Sequence, residues 1–242
     1  MATQNVTIPA LSGDSFSAYL AAPSTQPRAG IVLIQEILGV DNNMRQTADD
    51  YAKAGYLVLV PDLYWRLEPG VQLDSDDEKQ WAKAFELLGA FDVDSGVEDL
   101  KATLSFLRQY PSSTGKVGSV GFCMGGKLAY LMATRTDADA NVSYYGVEID
   151  KNLAEATKIQ KPLILHMGGN DEYVSPSAQA TIQQGLKDNP LVTIYRYEGV
   201  SHGFGRAGSS AYRQAAAELA HNRTLAFLKQ HLGSGVIQGA TA

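Results

Sequence analysis

Continuous apolar runs punctuate this chain at Ile31-Val32-Leu33-Ile34, Tyr56-Leu57-Val58-Leu59-Val60 and Pro162-Leu163-Ile164-Leu165-His166-Met167. Short runs bounded by Gly, Pro or polar residues predict strands buried on both faces of a sheet. The run ending at Phe122 and Val142–Tyr145 read the same way, and Leu191–Tyr197 alternates as a strand should. Val6–Pro9 and Phe16–Ala21, separated by Leu11-Ser12-Gly13-Asp14, predict a leading hairpin. Between the later strands, apolar residues recur at helical spacing near Met44–Ala54, Glu78–Ala90 and Asp94–Tyr110, from Met124 onward, and over 178–187 and 211–232. Pro61-Asp62 is expected to stop one strand, and an irregular stretch runs on through Asp77. Strand and helix alternate, which predicts an α/β fold with a mostly parallel, twisted sheet covered by helices on both faces.

At 242 residues the chain suits one such domain, expected over 1–232, with 233–242 as a disordered tail. Apolar residues make up 45 % and charged residues 19 %, the balance of an ordinary globule. A net charge of −6 without a basic cluster argues against a nucleic-acid surface. The start Met1-Ala2-Thr3-Gln4-Asn5 lacks the pattern of a secretory signal, and no apolar run has membrane-spanning length. A single cysteine permits no internal disulfide, so the reducing cytoplasm is the expected setting. There is no Cys/His cluster of metal-binding type and no cofactor is implied. Without a long exposed apolar helix, a monomer is expected.

That one cysteine is the candidate for chemistry. Cys123 lies in Val117-Gly118-Ser119-Val120-Gly121-Phe122-Cys123-Met124-Gly125-Gly126, where an apolar strand meets a helix-forming stretch. G-x-C-x-G at such a turn is the nucleophile elbow of α/β-hydrolases with sulfur in place of the serine oxygen. Small neighbours let strand and helix pass close together around a strained nucleophile. The helix start offers the Met124 N–H to an oxyanion, and its dipole favours a thiolate. Taken alone, a lone cysteine is more often a small buried hydrophobe. Its partners decide the matter. Asp171, in the loop Gly168-Gly169-Asn170-Asp171-Glu172, follows one strand; His202, in Val200-Ser201-His202-Gly203-Phe204, follows the next. The order nucleophile, acid, histidine is that of the fold, and such loops gather at the carboxyl ends of parallel strands. His202 is the base that activates the thiol and then water, and Asp171 orients its imidazole. The other three histidines read differently: His166 as a packed strand residue, His221 and His231 as solvated helix residues.

The chain resembles the dienelactone hydrolase (carboxymethylenebutenolidase) family from about residue 5 to 230. The resemblance rests on Gln35-Glu36-Ile37-Leu38-Gly39-Val40, Pro61-Asp62-Leu63-Tyr64, Gly121-Phe122-Cys123-Met124-Gly125-Gly126, Tyr144-Tyr145-Gly146, His166-Met167-Gly168-Gly169-Asn170-Asp171 and Ser201-His202-Gly203-Phe204. It implies a single-domain α/β-hydrolase in which Cys123 attacks a lactone carbonyl. The backbone N–H groups of Ile37 and Met124 are then the oxyanion hole. Glu36 is expected to approach the thiol in the resting enzyme and help take its proton. Arg206 is expected to pair with the carboxylate such lactones carry, and Trp81, Phe85 and Tyr145 to line the pocket. Here the chain departs from the family pattern, in which a second arginine stands near residue 81 and a tyrosine and a tryptophan occupy the positions of Phe85 and Leu88. The pocket loses a positive charge and a hydroxyl.

The leading reading is a cysteine-dependent hydrolase of a carboxylate-bearing enol-lactone. The alternatives are a broader carboxylesterase acting on uncharged esters with the same triad, and a catalytically silent hydrolase-fold protein that binds a small ligand.

Overall fold

In the computed structural model, residues 1–24 and 28–233 are described. The chain opens with β1 (Ala2–Pro9), β2 (Ser15–Ala22), β3 (Arg28–Ile34), α1 (Asn42–Lys53) and β4 (Leu57–Pro61). Then come α2 (Glu78–Ala90), α3 (Val93–Gln109), β5 (Ser113–Phe122), α4 (Met124–Arg135) and β6 (Asn141–Tyr144). A 3-10 segment, Ile149–Lys158, leads to β7 (Leu163–Gly168), α5 (Pro176–Leu186), β8 (Val192–Tyr197) and α6 (Gln214–Leu232). Helix starts follow side-chain chemistry. Asp41, Asp77, Asp92 and Ser175 each accept a hydrogen bond from a backbone N–H in the first turn of the helix that follows.

The eight strands form one sheet in the order β1-β2-β4-β3-β5-β6-β7-β8. The β1–β2 and β2–β4 pairs are antiparallel, and every pair from β4–β3 to β7–β8 is parallel. This is the α/β-hydrolase arrangement expected from the sequence, led by the expected hairpin. Alternate residues of the buried strands serve two cores. Val32, Ile34, Val117 and Leu165 pack with α2 to α5 on one face, while Ile31, Leu33, Val120 and Ile164 pack with α1 and α6 on the other. Burying such side chains is worth about 1.5–3 kcal/mol each before conformational entropy is counted.

Pro61 ends β4 as expected, pairing with Ala18. Other expectations need correction. Tyr145 lies outside β6, because its φ of 39° turns the chain. The segment Ile149–Lys158 was not anticipated. His221 and His231 are not solvated; both are half-buried, their rings packing against Tyr51 at 5.3 Å and Phe227 at 4.7 Å. His166 is a packed strand residue, as expected. The expected tail, from 234 onward, lies outside the described residues.

Strand order places the site. From β3 the chain passes to β4 on one side, while β5 lies on the other. The loops leaving β3 and β5 therefore diverge at a topological switch point, where ligands bind in open α/β sheets. Glu36-Ile37 follows β3 and Cys123 follows β5.

Candidate active site

Cys123 sits at the turn between β5 and α4 with φ 56° and ψ −116°, a conformation an L-residue adopts only when its surroundings impose it. Its N–H donates to the Tyr144 carbonyl at 3.0 Å, and its own carbonyl accepts from Gly126 N at 3.0 Å and Lys127 N at 3.2 Å. The glycines around it are sterically required. A methyl on Gly121 would lie 1.9 Å from the Gly125 carbonyl oxygen, and one on Gly125 only 2.4 Å from that of Ile34. Cys123 is the residue that caps α4, yet its side chain makes no capping bond. The first-turn N–H of Met124 has no acceptor within the helix. Among the described residues no hydrogen bond takes up the Ile37 N–H either. The two proposed oxyanion donors are both free to donate.

Asp171 and His202 meet as the loop placement demands. His202 Nδ1 lies 2.9 Å from Asp171 Oδ2 and 3.1 Å from Oδ1. Oδ1 also accepts from Tyr173 N at 2.9 Å and Val174 N at 3.0 Å, which anchors the carboxylate from below. The imidazole is wedged between Tyr145 and Tyr173, each ring 4.9 Å away and edge-on. His202 Nε2 is buried without a well-directed partner. Burial disfavours the imidazolium, but the Asp171 bond and the adjacent Cys123 outweigh it and raise the His202 pKa to about 10.

Among the described residues no hydrogen bond joins the thiol to Glu36. Its Oε1 accepts from the Tyr145 hydroxyl at 3.1 Å and its Oε2 from Arg206 Nη1 at 2.6 Å. The second arm of the guanidinium, Nη2, reaches Asp41 Oδ2 at 2.6 Å. Arg206 is therefore placed at the site, with its fork filled by two protein carboxylates. Burial alone would lower the Arg206 pKa; Glu36 and Asp41 hold it higher and keep the charge fixed. Tyr145 is fully buried, its hydroxyl pushed well above the usual range by burial and then by Glu36, so it stays a donor.

Trp81 and Phe85 are not drawn into this cluster. Their rings meet at 6.1 Å, tilted by 35°, on α2; the Trp81 indole N–H donates to the Ser75 carbonyl at 2.8 Å, and Phe85 is exposed. No hydrogen bond or ring contact joins either to the triad among the described residues. Three participants escaped the sequence reading. Asp41 caps α1, a local role that does not point to Arg206. Gln35 donates to the Glu36 carbonyl at 3.4 Å and accepts from Leu63 N at 3.1 Å, tying the Glu36 loop to β4. The Tyr64 hydroxyl reaches Met124 Sδ at 3.8 Å, and its pKa is raised by burial and by the nearby Cys123. Gln35 and Tyr64 left a trace, within the Gln35-Glu36-Ile37-Leu38-Gly39-Val40 and Pro61-Asp62-Leu63-Tyr64 motifs.

A sheet of this order with a nucleophile elbow at its centre defines an α/β-hydrolase. Comparison with known proteins narrows the class. The model of the dienelactone hydrolase family matches residues 16–232. A carboxymethylenebutenolidase of Pseudomonas putida is 41 % identical over 228 residues, covering 94 % of this chain and 97 % of that one. Another, from Pseudomonas sp. (strain P51), is 35 % identical over 98 % of this chain and 99 % of its own. Among solved structures, a dienelactone hydrolase-like promiscuous phosphotriesterase from metagenomic libraries superposes with a TM-score of 0.77 at 19 % identity, covering 96 % of this chain and 100 % of its own, a likeness of fold. The chain belongs to the dienelactone hydrolase family and is a hydrolase acting on esters or lactones.

Proposed function

We propose that the protein opens dienelactone-like enol-lactones by acyl transfer to Cys123. The reading rests above all on one juxtaposition: the strained Cys123 at the N-terminus of α4 facing an imidazole whose far nitrogen is bonded to buried Asp171. The Cys123 proton comes to rest on His202 Nε2, whose raised pKa holds it there, and the resulting thiolate attacks the lactone carbonyl. The tetrahedral oxyanion accepts from Ile37 N and Met124 N, donors that typically contribute about 2.7–4 kcal/mol each to the transition state. Collapse breaks the ring C–O bond, and the departing enolate takes a proton from the imidazolium. His202 then deprotonates water, which hydrolyses the thioester and restores the thiol. The names of the curated relatives, carboxymethylenebutenolidases, favour this substrate class. In this scheme a substrate carboxylate displaces Glu36 from Arg206 Nη1, and the freed Glu36 turns to the thiol and relays its proton to His202 Nε2.

A second reading, hydrolysis of uncharged esters by the same triad, is favoured by the filled fork of Arg206. Cys123→Ala separates both from a silent binding protein. Turnover of a dienelactone and of p-nitrophenyl acetate should fall by roughly 10³-fold or more. Activity surviving in the variant excludes the mechanism, and a wild-type thiol inert to an activated ester at neutral pH favours the binding protein.

A further inference from the structure

We propose that Asp41 is a specificity-determining residue: by holding one arm of Arg206, it biases the site toward uncharged acyl groups over carboxylated ones. The proposal rests on the hydrolase reading above and names what decides its substrate class. Arg206, Glu36 and Asp41 form one buried cluster, each side chain no more than 9 % exposed, with both ion pairs at 2.6 Å. Two carboxylates thus share a single guanidinium, a formal surplus of negative charge in a place where water screens little.

The two carboxylates are not equally removable. Glu36 stands on a loop and is otherwise held by one hydroxyl, that of Tyr145. Asp41 is fastened at both oxygens, because Oδ1 caps α1 by accepting from Met44 N at 2.9 Å while Oδ2 holds Arg206. A substrate carboxylate can displace Glu36 from Nη1, but it then shares Arg206 with Asp41. The cavity of about 560 Å3 flanking Arg206 is lined by Asp41, Asp74 and Asp76, and Arg206 is the one cation among its described lining residues. A neutral acyl group meets no such opposition.

Asp41→Asn removes the charge while its one amide oxygen still caps α1; the amide nitrogen, a donor, then faces Nη2, so the bond to Arg206 is lost with the charge. Steady-state kinetics would compare a carboxylated dienelactone with p-nitrophenyl acetate. The ratio of kcat/KM, carboxylated over neutral, should rise about tenfold through a lower KM for the carboxylated substrate, a change worth about 1.4 kcal/mol. Asp41→Ser, a second uncharged cap, should move it the same way, and Asp41→Glu should leave the ratio near wild type. A purely structural role predicts equal losses on both substrates. A ratio less than about threefold above wild type in both uncharged variants overturns the proposal. Calorimetric binding of a carboxylated lactone and its methyl ester to Cys123→Ala, with and without Asp41→Asn, reads the same shift without turnover. Failure of the hydrolase reading would show separately, as turnover of both substrates surviving Cys123→Ala.

Discussion

Asp171 divides its two oxygens among three donors: the imidazole of His202 and the backbone N–H groups of Tyr173 and Val174. That division separates its structural role from its chemical one. In Asp171→Asn the side-chain oxygen can still accept from the two backbone groups, so the loop should keep its shape. The amide, however, no longer favours the tautomer that leaves Nε2 as the base, and it cannot stabilise the imidazolium. The variant should melt within a few degrees of wild type, while kcat falls by about 10³-fold or more. Loss of folding together with activity would show that the carboxylate serves mainly as a turn. An aspartate in Gly-Gly-Asn-Asp is as good a turn residue as a catalytic one.

The elbow is the element that converts strand geometry into reactivity. Its glycines are not interchangeable with glycines elsewhere. A methyl on Gly125 would press on the carbonyl oxygens of Ile34 and Gln35 at 2.4 and 2.6 Å, both backbone atoms at the end of β3. Gly125→Ala should therefore push α4 away from the loop that carries Ile37, costing on the order of 1–3 kcal/mol of stability and most of the activity. Gly89, exposed in the last turn of α2, meets nothing within 4 Å. Gly89→Ala should stabilise the protein by about 0.5–1 kcal/mol without that penalty. Urea unfolding of the pair is the check; similar behaviour of the two would mean the crowding at the elbow relaxes freely. The G-x-C-x-G pattern announced this crowding, since those glycines answer to contacts made within a few residues.

At the scale of the molecule, a buried polar chain joins α6 to the sheet beneath the site. The Tyr144 hydroxyl lies 2.6 Å from Thr224 Oγ1, which is 3.0 Å from His166 Nε2, and His166 Nδ1 is 2.8 Å from the Tyr197 hydroxyl. Burial, with a smaller push from Arg223, lowers the His166 pKa to about 3. In the unfolded chain the value returns to about 6.5. Between those limits the unfolded state binds a proton that the fold refuses, so stability is full above pH 6.5 and is lost as pH falls toward 3. The expected slope from this residue is about 1.4 kcal/mol per pH unit once the pH is well below 6.5. His166→Gln, which can keep polar contacts but does not titrate, should be less stable at pH 7 and should lack that slope. Urea midpoints at pH 7, 5.5 and 4.5 measure the difference; parallel curves for the two proteins would show that His166 is not held neutral.

The periodicity of apolar runs, the glycines of the elbow and the order Cys123, Asp171, His202 were legible in the sequence, because each reflects forces acting within one strand, one turn or one strand-to-loop step. Helix caps such as Asp92 and Ser175 belong to the same local physics. What the Arg206 charge faces was decided only by folding. Its partners Glu36 and Asp41 lie 170 and 165 residues away, and they meet it because β3 sits at the centre of the sheet and its loop opens toward the His202 loop. The same holds for His166 and Thr224, which share a hydrogen bond only because α6 packs across the sheet. Local chemistry shaped the turn that carries Cys123; the topology of the sheet set the electrostatic surroundings of Arg206.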